Sequence, residues 1–592
     1  MGAEADVSVH EDPPPARLVV LVEGAAHVAT EGRLHALVTR PRAGVLVKHP
    51  RDHLGAGIGG QPQDVIVGRE FASGLGHTPI IAAPQAALQG EPVIYFLLVD
   101  RFYNGNPAND GAIDLADPQA FHGGDLAGVT AKLDNLKEIG VDTLWLGPIT
   151  QMRTEKFFQW GAYHGYWLHD PMALEPRFGT LEELATLRRE ADARGIRLVL
   201  DTVYNHLAPD HGFVQHHPEW FHGPSKIVDW NDPAQLQQGW VHGLPDLDQD
   251  NREVRGWLEA ATDLWIERVG PAALRLDAVR HMSPEFVRAM GAEARSLGVE
   301  TWGEIFDGNV ATVLDTREKA GLDAVFDYPL YYALKDTACG DAPLAQLAAA
   351  LDRSDHVPGH TWLTFVDNHD TPRILSACNG DAWGAEAAIA LLFALRGRPV
   401  ITWGTEYLPL GAEEPDNRAD MRWDSLGVDR LAWLASLARQ RRESPSLSHG
   451  DSRVIALGEH HVAWERTHGG ERRWVLYNEG AESIDIAGVH FDPRTVTVYD
   501  PGTLPAPRVH GGTVRFKSSK KLPPGDRLVV VGDAPELGSW DPAHGVPVPG
   551  KVTLEDEVYL YKTVVLHADG RPPTWSEGGN RWIVGGGGVL RL

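Results

Sequence analysis

A TIM barrel, the α/β fold in which eight parallel strands alternate with helices, is the fold that residues 91–445 of this 592-residue sequence predict. Three observations predict it. Apolar runs of strand length alternate with helix-like segments, eight such runs occur, and polar residues stand at the ends of several of them. Such alternation is typical of a parallel sheet, and eight units in a row are typical of a closed (β/α)8 barrel. The strand candidates are 93–100, 141–149, 196–206, 273–281, 299–306, 323–328, 361–370 and 398–406.

The helix candidates between these strands carry signals of their own. Residues 131–140 are amphipathic, and the segment 180–195 begins with a capping box made by Thr180 and Glu183 and can end at Gly195. A further helix before the fourth strand is predicted by apolar residues that recur on one face, namely Val254, Leu258, Ala261 and Trp265.

One connection is much longer than the others. Residues 207–250, between the third strand and the next helix, are rich in His, Trp, Pro and Asp. Long loops in compact domains are usually functional, and this one leaves the carboxyl end of a strand, where barrel active sites form. We therefore expect an inserted loop domain here, called domain B below.

The rest of the chain predicts all-β accessory domains on both sides of the barrel. Residues 1–17 are expected to form a flexible tail and residues 18–90 a small N-terminal β domain of unknown role. A C-terminal β domain is predicted over 446–511, and a last β segment follows over 512–592.

Composition excludes several classes of function. A net charge of −27 argues against nucleic acid and anionic membranes as partners, because both need basic surfaces. The sequence has no apolar run long enough for a membrane-spanning helix. Cys339 and Cys378 are the only cysteines, so we expect neither a disulfide framework nor a cysteine-based metal site.

Polar residues at the ends of the predicted strands indicate the chemistry. Because the carboxyl ends of barrel strands meet at one mouth, these side chains are expected to converge there. Three carboxylates in one mouth suit glycoside cleavage, which uses a carboxylate nucleophile and a carboxylic acid proton donor. Arg275 stands two residues before Asp277 and faces the same side of its strand, so we expect it to hold Asp277 ionised. The residues concerned are Asp201, Asn205, His206, Arg275, Asp277, Glu304, His369 and Asp370.

Four segments on these strands resemble the signature segments of the α-amylase family of glycoside hydrolases, family 13. They are "DTVYNH" (201–206), "LRLDAVRH" (274–281), "ETWGEIF" (300–306) and "FVDNHD" (365–370). The resemblance covers roughly residues 91–510. It implies that Asp277 is the nucleophile, Glu304 the general acid/base and Asp370 a third acid that grips sugar hydroxyls.

The same resemblance implies a set of substrate-binding residues. Arg275 matches the partner of the nucleophile, and His206 and His369 match histidines that hydrogen-bond the sugar at the cleavage point. The segment "AYHGYW" (162–167) makes Tyr166 a stacking platform for that sugar, with core packing as the alternative role for Tyr166. The remaining substrate-binding candidates are His164, Arg280 and His281.

Calcium is also implied by the resemblance. The segments "NGNPANDG" (104–111) and "HGGD" (122–125) look like an amylase calcium loop, and oxygen ligands are what calcium prefers. The alternative is a simple turn rich in Asn and Gly. The ligand candidates are Asn104, Asn106, Asn109, Asp110, Gly123 and Asp125 for this site, and Asn205, Asp246 and the backbone of His281 for a second site beneath domain B.

The last segment resembles a starch-binding module of carbohydrate-binding family 20. The resemblance lies in "RLVVVGDAPELGSWDP" (527–542), "YLYKTVVL" (559–566) and "PTWSEGGNRW" (573–582). It implies that Trp540 and Trp575 stack on glucose rings, with Lys562 and Asn580 as polar partners. The alternative is that these tryptophans lie in the core of a β-sandwich.

Together these features predict a retaining, endo-acting α-1,4-glucan hydrolase that degrades starch and related oligosaccharides through a covalent glycosyl-enzyme. The alternatives are a transglycosylase such as a cyclodextrin glucanotransferase and, in another class, a non-catalytic glucan-binding protein. The lack of room for an extra domain between about 500 and 517 favours hydrolysis, and "GLPDLD" (243–248) resembles the plain amylase form of a fifth segment more than the forms typical of cyclomaltodextrin hydrolases. We expect a monomer. The N-terminus lacks the basic and apolar regions of a signal peptide, which leaves two possibilities. We expect a secreted protein whose signal has been removed, and the alternative is a cytoplasmic protein.

Overall fold

The computed structural model describes residues 92–592 except 231, 356, 508–511, 556, 579 and 585–587. The predicted tail (1–17) and the predicted N-terminal β domain (18–90) lie outside the described residues. Among the described residues, no helix combines the length and the apolar character needed to cross a bilayer.

Eight parallel strands close into a barrel, so the predicted fold class is confirmed. Each strand lies inside a segment predicted from the sequence, and each is shorter than that segment. Around the barrel the order is β1, β2, β5, β6, β7, β8, β9 and β10, and β10 pairs with β1. The barrel strands are β1 (Ile94–Leu97), β2 (Thr143–Leu146), β5 (Arg197–Thr202), β6 (Ala273–Leu276), β7 (Glu300–Gly303), β8 (Ala324–Phe326), β9 (Trp362–Thr364) and β10 (Arg398–Thr402), and a hairpin outside the barrel is formed by β3 (Thr150–Met152) and β4 (Leu168–Leu174).

Helices cover the outside of the barrel. The capping box predicted at Thr180 and Glu183 is present at the start of α3, and Gly270 ends α6 in a left-handed conformation. The α-helices are α1 (Leu126–Ala131), α2 (Leu133–Glu138), α3 (Leu181–Ala193), α4 (Phe213–His216), α5 (Pro233–Gln238), α6 (Arg252–Val269), α7 (Pro284–Ser296), α8 (Val310–Ala320), α9 (Tyr328–Ala338), α10 (Leu344–Asp352), α11 (Ile374–Ala377), α12 (Ala382–Ala394), α13 (Val428–Glu443) and α14 (Pro445–His449).

The long connection between β5 and α6 contains α4, α5 and several single turns. An isolated β-bridge between His206 and Asp246 joins its end to the residues that follow β5, and a second bridge, between Phe221 and Leu247, lies within the connection itself. Domain B is therefore tied to the carboxyl end of β5, beside the mouth of the barrel.

Two β-rich regions follow the barrel. The first contains a four-stranded antiparallel sheet in the order β11-β12-β13-β16 and the ribbon β14-β15, and the second is built around the sheet β19-β18-β21-β22. Helix α10 of the barrel packs directly against β21. The strands are β11 (Asp451–Leu457), β12 (His461–His468), β13 (Glu471–Asn478), β14 (Ile484–Ile486), β15 (Val489–Phe491), β16 (Thr495–Tyr499), β17 (Gly512–Lys517), β18 (Arg527–Gly532), β19 (Val546–Pro547), β20 (Gly550–Leu554), β21 (Val558–Leu566), β22 (Thr574–Trp575), β23 (Arg581–Val584) and β24 (Gly588–Arg591).

The two cysteines form a disulfide, which the sequence analysis did not anticipate. Cys339 follows α9 and Cys378 follows α11, and their Cα atoms lie 4.1 Å apart. The two residues are separated by 39 positions, so only the folding of both helices onto the barrel brings them together.

Candidate active site

The three predicted catalytic acids line one cavity at the mouth of the barrel. Asp277 directly follows β6, Glu304 directly follows β7, and Asp370 lies in the loop after β9. The cavity has a volume of about 930 Å³. It is also lined by His164, Tyr166, His206, Arg280, His281 and His369, so every predicted substrate-binding residue except the buried Arg275 reaches it.

Arg275 joins the acids beneath the cavity floor. Its side chain is 1% exposed, and its Nη1 donates to Asp277 Oδ1 at 2.6 Å and to Asp201 Oδ1 at 2.9 Å. Its Nη2 lies 3.0 Å from Glu304 Oε2. One planar guanidinium therefore orients the carboxylates of Asp277 and Glu304 toward the same space.

Further hydrogen bonds fix Glu304. The backbone N–H of Ala278 donates to Oε2 at 3.0 Å, and the hydroxyl of Tyr328 donates to Oε1 at 3.2 Å. Asn368 in turn donates to the Tyr328 hydroxyl at 3.2 Å. The carboxyl group is thus held from two sides while its residue remains part of the cavity wall.

Asp201 and Tyr166 form the other side of the cluster. The Tyr166 hydroxyl donates to Asp201 Oδ2 at 2.9 Å, and Trp145 Nε1 donates to the same oxygen at 3.1 Å. The Tyr166 ring also stacks on His369, with ring centroids 4.9 Å apart and planes 2° apart. Tyr166 is therefore held rigidly at the floor of the cavity, which it lines.

Asp370 is positioned by neighbours from two loops. Arg418 Nη2 donates to Asp370 Oδ1 at 2.9 Å, and His369 Nε2 lies 3.0 Å from Asp370 Oδ2. Arg418 also donates through Nε to the backbone carbonyl of His369 at 2.8 Å. This arginine follows β10 and was not singled out from the sequence.

The remaining predicted residues serve partly as supports. His206 Nε2 lies 3.0 Å from the carbonyl oxygen of Tyr166, and His281 Nδ1 lies 3.0 Å from the carbonyl oxygen of Leu236 in α5. Arg280 forms an ion pair with Asp307 at 2.9 Å. His281 and Arg280 thereby connect the barrel to domain B and to the loop after β7.

Burial dominates the protonation of the cluster. Burial raises the pKa of Asp277 well above its ordinary value, Arg275 opposes this shift, and the carboxylates of Glu304 and Asp201 add to it. Burial likewise raises the pKa of Asp201 to about 6, again opposed by Arg275. Arg275 therefore acts against the shift that burial causes, and the expectation that it holds Asp277 ionised stays a prediction. Three carboxylates around one guanidinium carry excess negative charge, which favours retention of a proton.

The histidines around the cavity are pushed toward their neutral forms. Burial lowers the pKa of His206 to about 4. Burial, followed by the nearby charge of Arg418, holds the pKa values of His164 and His369 well below their ordinary range. These side chains are therefore suited to hydrogen bonding with neutral hydroxyl groups at neutral pH.

The residues of the first predicted calcium loop lie close together, but some of their side-chain oxygens already accept hydrogen bonds within the protein. Asn104 Nδ2 donates to both carboxylate oxygens of Asp110 at 2.9 Å, and the Asp125 carboxylate accepts backbone N–H groups as the N-cap of α1. Asn106 donates to Glu183. Among the described residues, the buried side-chain oxygens of Asn104 and Asn109 have no hydrogen-bond partner. A Cβ on Gly123 would lie only 2.7 Å from the Asn104 amide nitrogen, so glycine allows the backbone to approach this candidate ligand closely.

The second predicted calcium site also leaves oxygens unpaired. Asn205 Oδ1 and Asp246 Oδ1 are buried without a partner among the described residues. The other carboxylate oxygen of Asp246 lies 2.6 Å from His222 Nδ1, a contact that the sequence did not predict. The described residues contain no cluster of three or more His, Cys, Asp or Glu side chains arranged for a metal ion. The other candidate ligands of both sites are amide and backbone carbonyl oxygens, which are of the kind that a hard cation prefers.

A second aromatic surface lies on the outer face of the β18–β21 sheet. Trp540 packs half-buried on Val529, Val531 and Val564, and Trp575 lies opposite Val564 in the register and is 38% exposed. Lys562 lies opposite Val531 on the same face, because alternate strand residues share a face. Trp575 therefore lies outside the module core, which contains Tyr559, Tyr561 and Ile583, whereas Trp540 also packs partly against the large core cluster of the barrel.

Comparison with known proteins places this geometry in a family. The family model described as "Alpha amylase, catalytic domain" matches residues 96–430, and the model "Starch binding domain" matches residues 512–588. The chain belongs to the α-amylase family. Its sequence is 31% identical over 426 residues to a beta/alpha-amylase of Paenibacillus polymyxa, a match that covers 67% of this chain and 34% of that protein. It is 26% identical over 556 residues to a cyclomaltodextrin glucanotransferase of Klebsiella oxytoca, covering 77% of this chain and 84% of that one.

Solved structures of the family superpose on the same region. An α-amylase from Geobacillus thermoleovorans, complexed with acarbose, has a TM-score of 0.61 and 30% identity and covers 80% of this chain and 96% of its own. A cyclomaltodextrin glucanotransferase with a three-domain ABC distribution has a TM-score of 0.64 and 26% identity, with 69% and 99% covered. The α-amylase family thus supplies both hydrolases and transferases as relatives.

Sequence reasoning missed several residues of this α-amylase-family site. Arg418 and Tyr328 contact catalytic acids but lie outside the four segments, Arg418 among the many charges of 413–422 and Tyr328 at the end of a predicted strand. Trp582 was quoted within a motif but given no role, yet it is as exposed as Trp575 and lies opposite Leu560 on the same face of the module sheet. The signal that was available for Trp582 was a third tryptophan close to the two expected ones.

Proposed function

We propose that this member of the α-amylase family is a retaining, endo-acting α-1,4-glucan hydrolase that degrades starch and related glucans. The single observation that carries the proposal is the Arg275 contact set, in which one guanidinium directs Asp277 and Glu304 into one cavity. A retaining glycosidase needs such a pair of carboxyl groups around one sugar.

We assign the roles of the two acids from the family resemblance, and the contacts of Arg275 support their pairing. The Asp277 carboxylate attacks the anomeric carbon while Glu304, as the acid, gives its proton to the glycosidic oxygen and releases the first part of the chain. In the second step the Glu304 carboxylate removes a proton from water, and the resulting hydroxide displaces Asp277 from the sugar. Two inversions at one carbon give net retention.

The surrounding residues bind and orient the sugar at the cleavage point. Tyr166 offers a fixed aromatic floor, and Asp370 offers a carboxylate held by Arg418 to accept hydroxyl hydrogen bonds. Neutral His206 and His369 add uncharged hydrogen-bonding groups. The exposed face of Trp575 on the C-terminal module gives starch a second attachment surface on the same chain.

Transfer to a sugar hydroxyl, as in a cyclodextrin glucanotransferase, is the second candidate. It is favoured by the Klebsiella oxytoca relative, whose match covers 84% of that protein. The short connection from β16 to β17 leaves no room for an additional domain. However, a three-domain transferase is among the structural relatives, so domain number does not separate the two activities.

Product analysis from soluble starch tests the proposal. We expect linear oligosaccharides of mixed length to appear early, with the anomeric configuration retained when followed by NMR. Early cyclic products would favour transfer, and equal rates for wild type and Asp277→Asn would show that the chain is not a glycosidase of this type.

We also propose that calcium stabilises the two loop regions. At one site the ion would be held by Asn104, Asn109 and Asp110 beside Gly123, and at the other by Asn205, Asp246 and the His281 backbone. Bound calcium would supply positive charge to the unpaired oxygens and so fix domain B on the barrel. A chelator is expected to lower the thermal unfolding midpoint by several degrees, and Asp246→Asn should lose part of that calcium-dependent stabilisation. An unfolding midpoint that is the same with and without chelator would remove calcium from the proposal.

Secretion is proposed as well. Disulfides form and persist mainly in oxidising compartments, and Cys339 and Cys378 are paired. Detection of the folded protein in culture medium, with both thiols blocked to alkylation, is the corresponding test.

A further inference from the structure

Three of four consecutive residues in "FFQW" (157–160) are aromatic, and they form the tip of a tight hairpin. The N–H of Phe157 donates to the carbonyl oxygen of Trp160 at 2.8 Å, and the N–H of Trp160 donates back at 3.1 Å. Phe158 stands at the first turn position with φ of 55°. We call residues 157–160 the aromatic hairpin.

Phe158 occupies an energetically unfavourable position. Its side chain is 83% exposed, and a left-handed backbone is unfavourable for a bulky residue. Phe157, by contrast, contributes to the packing of the fold, because its ring centroid lies 6.3 Å from that of Trp167. The Phe158 ring meets that of Phe157 edge-on, with centroids 4.7 Å apart, but most of the Phe158 side chain stays in solvent at a turn position where Gly, Asn or Asp is the usual choice.

Contacts at its base hold the aromatic hairpin in place. Arg153 donates through Nε to the carbonyl oxygen of Glu155 at 2.7 Å and forms an ion pair with Asp210, at the start of domain B. Lys156 forms an ion pair with Asp117 on the other side. The exposed ring of Phe158 therefore projects from an anchored turn.

The aromatic hairpin faces the catalytic cavity. Phe157, Phe158 and Trp160 line the same space as Asp277, Glu304 and Asp370. Phe306 and Trp230 also line it, but both accept hydrogen bonds from Arg280 through their carbonyl oxygens and so belong to the wall near Glu304. The aromatic hairpin thus supplies an apolar surface to the cavity that holds the three acids, and its rings are not part of the Arg280 contacts.

We propose that Phe158 and Trp160 form a stacking platform for glucose units beyond the one that lies on Tyr166, and that this platform makes the site select longer α-glucan chains. The inference rests on the proposed glucan hydrolase and deepens it. The apolar C–H faces of glucose match flat aromatic rings, and an anchored ring gives up little entropy when a sugar packs on it.

The test compares chain lengths in the full-length protein. With Phe158→Ala, kcat/KM for maltoheptaose is expected to fall about tenfold, the value of one good aromatic contact, while kcat/KM for maltotriose changes less than about twofold. Phe158→Tyr should restore the wild-type ratio. Val228→Ala is the matched control, because Val228 is also 83% exposed but does not line the cavity.

Each outcome decides the inference. An equal fall on both substrates would show that Phe158 only supports the geometry of the acids, and unchanged kinetics on both would show that no sugar contacts it. If the wild-type protein cleaved neither substrate, the proposed hydrolase activity would be contradicted independently of the stacking platform. The platform would then be judged by calorimetry with maltoheptaose in a Trp540→Ala/Trp575→Ala background. There, Phe158→Ala must weaken binding about tenfold, and unchanged binding would overturn the platform.

Discussion

Two arginines in this protein are each surrounded by carboxylates, yet only one of the two clusters faces a cavity. Arg275 contacts Asp201, Asp277 and Glu304 at the mouth of the barrel. Arg353, which follows α10, forms an ion pair with Glu557, lies 3.6 Å from Asp533, and donates to the carbonyl oxygen of Val558 at 3.0 Å. The second cluster joins the barrel to the starch-binding module.

The comparison shows that charge composition alone does not identify a catalytic site. Burial raises the pKa of Asp201 to about 6 in one cluster and that of Asp533 to about 6 in the other. The clusters differ in access, since Asp277 and Glu304 line a cavity of about 930 Å³ and the carboxylates around Arg353 lie between two packed domains. A shifted pKa therefore gains functional meaning only where a substrate can reach the group.

The largest expected effect comes from removing one carboxylate charge in each cluster. Asp277→Asn should lower kcat on soluble starch by about four orders of magnitude, because the nucleophile is lost while the side-chain oxygen can still accept from Arg275. Asp533→Asn makes the same chemical change in the other cluster and should leave kcat on maltotriose unchanged. Initial rates of reducing-sugar release measure both.

A weak effect of Asp277→Asn would contradict the functional difference between the two clusters. A fall in kcat of less than about tenfold for Asp277→Asn would mean that another group attacks the sugar. Circular dichroism of both variants should match wild type, which separates loss of chemistry from loss of folding.

The second effect concerns stability. Arg353→Met removes the cation between Asp533 and Glu557 and leaves both carboxylates at the domain junction without their partner. Asp533 is mostly buried and Glu557 is partly exposed to solvent, so the loss of their cation should cost on the order of 2 kcal/mol, and the unfolding midpoint in urea should fall while kcat on maltotriose stays the same. A loss of activity without a loss of stability would mean that the junction communicates with the cavity.

The four catalytic segments were readable from the sequence because each is local. In β6 the alternation of a strand places Arg275 and Asp277 on one side, and the carboxyl ends of β5, β6, β7 and β9 meet because the barrel closes. The fold class followed from the same alternation of strands and helices. The roles of the individual residues stay predictions until they are measured.

The contacts that the sequence did not predict join remote parts of the chain. Arg418 reaches Asp370 across 48 positions, and Arg353 reaches Glu557 across 204. The Cys339–Cys378 disulfide and the pairing of His222 with Asp246 depend in the same way on how loops return to the barrel. Pairing of this kind is set by tertiary packing, for which a single sequence gives no periodic signal.

A third prediction separates the two glucan-binding surfaces. Trp575→Ala should weaken adsorption to starch granules about tenfold, because one exposed aromatic face is lost from the module. Hydrolysis of maltotriose should not change, since Trp575 does not line the catalytic cavity. Trp582→Ala, at an equally exposed tryptophan on the same face, shows whether the surface extends toward the barrel. Undiminished adsorption of Trp575→Ala would place the granule contact elsewhere.

The stability of the domain junction is also expected to depend on pH. Burial raises the pKa of Asp352 to about 8, and the neighbouring Glu557 carboxylate adds to the shift, while the backbone N–H of Val558 and the charge of Arg353 oppose it. The folded state therefore holds a proton that the unfolded state releases near pH 4. The stabilisation from this group is complete below about pH 4 and is lost as the pH rises toward 8.

Asp352→Asn tests that sign directly. The amide oxygen can still accept the N–H of Val558, which donates to Asp352 Oδ2 at 2.9 Å, but the group no longer titrates. We expect the unfolding midpoints of wild type and variant to converge near pH 4 and the variant to be the more stable of the two at pH 8, because only the wild type then has to ionise a buried carboxyl group. If the difference stayed constant from pH 4 to pH 8, Asp352 would be ionised throughout, and Arg353 would hold three carboxylate charges at the junction as Arg275 does at the active site.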